Sequence, residues 1–462
     1  MSDYTPPFPR PHKKKSTALL YLLRGWYSWI HASYERSYTM KMGQVWTPRN
    51  TLYIINEPSL VRKVMVEDWR KFPKHKLLWI QLRSLLGDSI FTTNGAVWEK
   101  QRRMIDPAFQ GARMKVILPL MQAAVDDMLK RFGAVADNHK PEDVEIEMTH
   151  ITADIIFRTI LSKPINAEEA ATIFHAFNKY QEKTLRSMIL KACKLPSFYF
   201  DRQADAYATE IRNILAGLIR VRYDAYHSGR PGAEQDILAS LLAEVDTETG
   251  QHFSYEELVD HVSMLFLAGH ETSASALTWA LYLIANTPDI QERMVEEVRA
   301  AISDRPVEFG ELKKMRLTWN VFRETLRLYP PVGYFVREAS ETQMMRDKKV
   351  KKGCPIGISP LLIQRHRKMW DRPDVFDPDR WDSEESKQSQ KDAYLPFGAG
   401  PRVCIGAAFA TQEATLILAN LVRSFRFEPI AGDIPEPVGR VTIRSANGVR
   451  LMVSRRASAQ TP

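Results

Sequence analysis

Cysteine is scarce in this chain: three in 462 residues, at Cys193, Cys354 and Cys404. Three cannot build a disulfide framework, and the absence of any C-x-x-C pair argues against a structural zinc site. Such usage suits a reducing compartment. An uninterrupted apolar run of membrane length is missing too. The segment Ser16 to Ile30 is apolar but short, is broken by Arg24 and has no small-residue cleavage site, so it reads as a surface helix. Charge of one sign is nowhere concentrated. Lys and Arg number 64 against 55 Asp and Glu, a net +9 spread along the whole chain. A dedicated nucleic-acid binder gathers its charge, so nucleic acid is not expected as a partner. The one dense run, Lys13-Lys14-Lys15, is of a kind that is usually just solvated, but with Trp26 it leaves weak peripheral membrane contact open.

What is present describes a soluble globular chain: 44% hydrophobic and 26% charged residues, enough for a large core. Residues 1–15, with Pro6-Pro7, Pro9 and Pro11, read as an extended lead-in. Strand-like pieces follow at Gln44–Trp46 and Thr51–Ile55. Helical patterns then dominate, over Trp98–Gln101, Met114–Phe132, Ile151–Leu161, Ala167–Leu185 and Asp205–His227, with an apolar break at Leu195–Phe200. A polar stretch, Ser383–Lys391, reads as a surface loop, and Asn447-Gly448 inside Val441–Val453 signals a hairpin. No break resembles an interdomain linker. The expected organisation is one large, mainly α domain with small β-sheets over 16–455, between the lead-in and a tail at 456–462.

The most informative element is a helix from Ser254 to Asn286, opened by the capping box Ser254-x-x-Glu257 and closed before Thr287-Pro288. It would span about 50 Å. Val262–Leu267 and Ala274–Ile284 are apolar all round, so the helix should be buried, yet Gly269, His270, Glu271, Thr272 and Ser273 interrupt it. Taken alone, this is best read as a satisfied polar cluster in a core helix.

A second motif shifts that balance. Phe397-Gly-Ala-Gly400-Pro401-Arg402-Val403-Cys404-Ile405-Gly406 precedes a helical run from Ala407 to Phe425. Its glycines and proline permit a tight turn whose N–H groups can point at one sulfur, and Cys404 at a helix start is favoured as thiolate. A single thiolate held this way suits an axial ligand for haem iron. Rival motifs fail on spacing: a G-x-G-x-x-G loop from Gly398 would need glycine where Val403 stands, and His270-Glu271 lacks the second histidine of a zinc protease, Ala274 being there. A plain buried cysteine fits Cys193 and Cys354 well, but not Cys404.

The chain resembles the cytochrome P450 family of haem-thiolate monooxygenases, whose F-x-x-G-x-R-x-C-x-G signature is matched in full from Phe397 to Gly406. Matching motifs run from Trp98 to the C-terminal strands, covering most of the chain. The resemblance implies a single triangular, mainly α domain with the long helix over a haem b, Cys404 as iron ligand, and Gly406 and Phe397 shaping the loop. It implies that Trp98, Arg102, Arg337 and Arg402 hold the haem propionates. Glu324 and Arg327, spaced as an ordinary helix ion pair, would join Arg380 in a buried folding network. Ala268-Gly-His-Glu-Thr-Ser matches the acid–alcohol motif: Thr272 would hold dioxygen and a water, and Glu271 would supply protons. The thiolate would favour O–O cleavage.

With no Walker A loop, dinucleotide loop or iron–sulfur cysteine set, electrons must come from a separate ferredoxin or flavoprotein, with Lys100, Arg103, Arg113 and Lys115 as a basic docking patch or merely a solvated face. By family position, Leu85, Ile90, Phe266, Ala268, Val332 and Phe335, with Leu78, Ile80 and Leu86 nearby, make an apolar pocket for a lipid, terpenoid or aromatic. Arg83 or Arg444 is the candidate to grip a carboxylate there. The expected enzyme is a cytoplasmic monomer that hydroxylates or epoxidises such a substrate with dioxygen. A peroxygenase or isomerase without an electron donor, and a non-catalytic haem sensor or carrier, are the rival readings.

Overall fold

The computed structural model describes all residues except 1–3, 15–23, 26, 47–49, 166, 193–194, 231, 304 and 458–462. Most of the Ser16–Ile30 segment, Lys15, Trp26 and Cys193 therefore lie outside the described residues. The larger helices are α1 (Lys76–Leu86), α2 (Gly95–Ile105), α3 (Gly111–Asn138), α4 (Val144–Leu161), α5 (Ala167–Ala192), α6 (Phe198–His227), α7 (Tyr255–Ala285), α8 (Pro288–Ile302), α9 (Arg316–Leu328) and α10 (Ala407–Ser424). The fold is mainly helical with small sheets.

The α7 helix is the axis of the molecule. Its capping box is formed as expected: Glu257 N–H donates to Ser254 Oγ, and Ser254 N–H donates to the Glu257 carboxylate at 2.9 Å. Pro288, which cannot continue a helix, opens α8 instead. Apolar residues all round its C-terminal half bury it against α4, α6, α9 and α10. The approach to α4 is tight at Gly269, where a Cβ would stand 2.4 Å from the Ile156 side chain. Ser275 Oγ and Trp279 Nε1 both donate to the Ile443 carbonyl, tying the helix to the C-terminal strands, and Tyr329 stacks on Trp279 at 4.1 Å.

The largest sheet has the order β1 (Met42–Trp46), β2 (Thr51–Ile55), β7 (Pro355–Ile358), β4 (Phe335–Glu338), with β2 and β7 parallel. It places Arg337 on an edge strand beside Lys74, which bridges to it. The proline-rich lead-in lies along the core, where Pro7 O accepts from the Tyr329 hydroxyl and Tyr4 O from Phe376 N–H.

Three local readings are corrected. Asn447-Gly448 does not close a hairpin. The strand before it, β10 (Ile443–Ser445), pairs with β9 (Pro437–Gly439), while the strand after it, β11 (Arg450–Arg455), pairs with β8 (Phe425–Pro429) and β3 (Glu142–Asp143). Asn447 accepts from Glu436 N–H and donates to Ile434 O, and Val449 N–H turns to Asp143, so the turn passes the chain between two sheets. The polar stretch 383–391 is not wholly loop, because Lys387–Ala393 is a short helix whose Gln390 side chain reaches the Arg380 and Trp381 carbonyls. The break at 195–200 is also shorter than expected, α6 beginning at Phe198.

Candidate active site

The cysteine loop is shaped by close backbone approach. Gly398 and Gly400 both have positive φ, and a Cβ on Gly400 would lie 2.0 Å from the Met65 carbonyl oxygen, so no other residue fits there. Cys404 N–H donates to Phe397 O at 3.0 Å and closes the loop, while Arg102 Nη1 donates to Val403 O at 2.7 Å and braces it from α2. Cys404 thus stands just ahead of α10. Protein crowds the sulfur enough for burial to push the thiol up, yet its surface stays open, and the Gly406 N–H and the nearby Arg102 charge both favour thiolate.

On α7, every residue from Val262 to Ala285 is buried except Leu267, Ala268, Gly269 and Thr272. Beyond its first turns, this short interval is where the helix presents open surface. Thr272 Oγ1 donates to Ala268 O at 2.7 Å, leaving its lone pairs to accept. His270 points elsewhere, its ring packed on Phe266 and Phe177.

Glu271 is buried behind the interval. Arg444 donates to both its oxygens, from Nε at 2.9 Å and Nη2 at 2.5 Å, and Thr442 adds a third bond. This fork holds the Glu271 carboxyl well below the ordinary carboxylate range despite burial. Arg444 also grips Glu145 at 2.7 Å, so its fork is fully engaged and it is no free carboxylate grip. Arg83 lies outward, stacked on Trp79.

Four cations gather near the cysteine loop: Lys74, Arg102, Arg337 and Arg402. Desolvation pushes Lys74 well below its ordinary value, and the charges of Arg402, Arg337 and Arg102 add to the effect. Arg337 and Arg402 are lowered to about 10, first by burial. Lys74 Nζ donates to the Ile90 and Phe91 carbonyls, Arg402 lies 4.2 Å over the Trp98 ring, and the buried Arg402 Nε has no acceptor. Arg102 is the exception, pairing with Asp106 at 2.6 Å as well as bracing the loop. Mutually repelling, desolvated cations with an orphaned N–H fit a bound group that carries carboxylates, as haem b does. Lys74 was not among the residues read from sequence. A lone lysine after Pro73 carries no spacing signal, and only the fold brings it to Arg337.

Glu324, Arg327 and Arg380 meet as one buried network. Arg327 donates to both Glu324 oxygens at 2.8 Å, and Arg380 Nε donates at 2.9 Å. Of the expected pocket residues, Ala268, Val332 and Phe335 are partly open, Phe335 lying against Gly398. Leu85, Ile90 and Phe266 are buried in the core, and Phe266 packs edge-on to Phe157. Ile80 is 45% exposed. Of the four docking cations, Arg113 and Lys115 are exposed, whereas Lys100 pairs with Glu257 and Arg103 with Asp246 and Glu248. A surface cleft of about 420 Å³ beside them is lined by Trp69, Arg70, Trp98, Arg102, Arg103 and Pro401, with Glu99. Among the described residues, no helix is long and apolar enough to cross a membrane.

Comparison with known proteins gives a consistent result. A family model described as "Cytochrome P450" matches residues 6–447. Cyclooctatin synthase of Streptomyces melanosporofaciens is 33% identical over 384 residues, 82% of each chain. Pentalenene oxygenase of Streptomyces avermitilis is 30% identical over 416 residues, covering 88% of this chain and 89% of that one. The crystal structure of the cytochrome P450DA heme domain has the same fold, with a TM-score of 0.84, 23% identity and 99% of each chain covered.

Proposed function

The chain belongs to the cytochrome P450 family and is thus a haem-thiolate monooxygenase with haem b as cofactor, and from that premise we propose that it hydroxylates or epoxidises an apolar organic substrate with electrons from a separate protein. One observation carries the reading. Buried over Val262–Ala285 otherwise, α7 opens at Leu267–Gly269 and Thr272, and an open cysteine stands at the start of the helix packed on it, beside cations that lack carboxylate partners among the described residues.

Haem b, when bound, supplies the binding and reductive activation of dioxygen. The chain's own residues do the rest. Cys404 offers the thiolate, which the Gly406 N–H favours. Arg337, Arg402 and Lys74, with Trp98, hold carboxylates, while Arg102 braces the loop. Thr272 Oγ1, its proton committed to Ala268 O, accepts and orients a proton-bearing group on the open side of α7. Glu324, Arg327 and Arg380 serve folding.

Among substrate classes, a terpenoid is favoured over another lipid or an aromatic. Two facts support this: the likeness to pentalenene oxygenase and the apolar residues Ala268, Val332 and Phe335 on the open side. For the donor, an acidic ferredoxin or flavoprotein fits the cleft lined by Arg70, Arg102 and Arg103, and Arg113 and Lys115 are exposed cations besides. A cytoplasmic monomer remains our reading of its state. The test is turnover of a terpenoid panel by haem-loaded protein with and without a reduced ferredoxin system. Product that requires both donor and dioxygen is the expected result. Product formed with peroxide alone would favour the peroxygenase reading, and saturable binding without product under every donor would favour a carrier.

A further inference from the structure

Well before the first strand, Ser28 and Trp29 lead into a single helical turn at Ile30–Ala32 and pack against the segment that carries Val332 and Phe335. Both are tied to β9. Trp29 N–H donates to Gly439 O at 3.2 Å, and Gly439 N–H donates to the buried Ser28 Oγ at 2.9 Å. The indole N–H of Trp29 donates to Arg440 O at 3.1 Å. Its ring then fills a notch made by two glycines. A Cβ on Gly333 would stand 2.0 Å from the indole and one on Gly439 2.4 Å from it, so a side chain at either place would collide with it. Tyr334 meets the ring edge-on, with centres 5.2 Å apart.

The two glycines belong to segments that are held with different firmness. Gly439 leads into β10, which α7 fixes: Ile443 O accepts from Ser275 and Trp279, while Thr442 and Arg444 donate to Glu271. Gly333 sits in a stretch with lighter ties. Ile443 N–H donates to Pro331 O at 3.3 Å and Ser359 Oγ to Gly333 O at 2.9 Å, and the pairing of β4 with β7 begins only at Phe335. Within this stretch Gly333 and Tyr334 face Trp29, whereas Phe335 lies against Gly398 of the cysteine loop. The indole thus rests on a fixed turn and props a looser wall. Close-packed side chains pass such a displacement on rather than absorb it.

We propose that Trp29 is a positioning residue for substrate: it sets how far the Val332–Phe335 wall stands from the cysteine loop, and so which apolar molecules fit and which of their carbons is presented. This rests on the monooxygenase reading above. Trp29 acts through Gly333 and Tyr334, from the face of the wall opposite Phe335. Without the indole, the wall settles into the vacated notch and the open side widens. A larger substrate then gains affinity, and a smaller one is held less closely.

The test begins with binding, which needs no turnover. Haem-loaded protein is titrated with monoterpene, sesquiterpene and diterpene hydrocarbons while the Soret band is followed. In Trp29→Ala the ratio of affinities for the largest and smallest ligands should move about tenfold toward the largest, the discrimination that a methylene or so supplies. With a donor, the ratio of regioisomeric products from one ligand should change as well. Neither ratio depends on how much protein folds, so a mere loss of stability leaves both unmoved. Gly333→Ala presses on the same ring from the other side and should shift the affinities toward the smallest ligand. Adding Trp29→Phe, a shorter ring, should return that variant toward the parent. Tyr27→Phe, which releases only a bond to Glu436 from the same segment, should change nothing. Ratios unchanged in both Trp29→Ala and Gly333→Ala overturn the proposal. So does a shift in Tyr27→Phe as large as that in Trp29→Ala, since general loosening of the segment would then explain both. Shifted affinities in a protein that forms no product with any donor would uphold the positioning role and sink the monooxygenase reading instead.

Discussion

Replacing Glu324 by alanine removes the only anion from a buried knot. Its carboxylate accepts from Arg327 Nε and Nη2 at 2.8 Å, from Arg380 Nε at 2.9 Å and from Asp377 N–H at 3.1 Å. Arg327 and Glu324 are 0% exposed and Arg380 is 5%. Hydrogen bonding would largely survive the change, because Arg327 keeps the Gln364, Pro373 and Val375 carbonyls and Arg380 keeps that of Asp371. Neutralisation would not. Two guanidiniums would share a dry site with no counter-charge. Breaking a buried pair in this way costs about 3–5 kcal/mol, against about 0–1 kcal/mol for an exposed pair. With a total stability of roughly 5–15 kcal/mol, Glu324→Ala should yield little soluble, haem-loaded protein. Glu324→Gln should recover little of the loss, since its amide would turn a donor toward an arginine N–H. Urea unfolding followed by circular dichroism, together with haem content per chain, measures both variants. An alanine variant within about 1 kcal/mol of the parent and normally loaded would refute the reasoning.

Thr272→Ala should bind substrate normally but send reducing equivalents to peroxide; oxygen-to-product stoichiometry checks this, and unchanged coupling would remove the role given to Thr272. Gly400→Ala should fail to load haem, since its Cβ would sit 2.0 Å from the Met65 carbonyl at a φ of +70°; absorbance per chain after purification is the readout. Arg402→Leu should release haem to an apo-globin acceptor about tenfold to a hundredfold faster, the equivalent of one charge-assisted hydrogen bond of roughly 1.5–3 kcal/mol. An unchanged release rate would show that this guanidinium does not hold the cofactor.

What could be read from sequence was what local chemistry decides. The capping box of α7 needs only Ser254 and Glu257 three residues apart, and the cysteine loop compresses its glycines, proline, arginine and thiol into ten positions. Asn447-Gly448 misled because a turn signal says nothing about which strands its flanks will join. Here β10 and β11 each found partners far away in sequence. Lys74 was silent for the same reason. A lysine after a proline gains meaning only when the fold brings Arg337 to it. Arg444 was legible as a cation but not as the keeper of Glu271, since the two lie 173 positions apart.

The bracing of the cysteine loop bears on how the protein is made. Its tight turn leans on the Met65 carbonyl, and Val403 is held by Arg102 from 301 positions earlier. The early segments leave the ribosome first and must wait, with their cations unmatched, for a loop that follows Arg102 by 301 positions. Stable capture of the cofactor is thereby deferred until both sides of these contacts have been made. A chain cut short before Cys404 keeps the cations that meet carboxylates but lacks the thiolate, so it should retain haem b far less firmly than one that carries the closed loop.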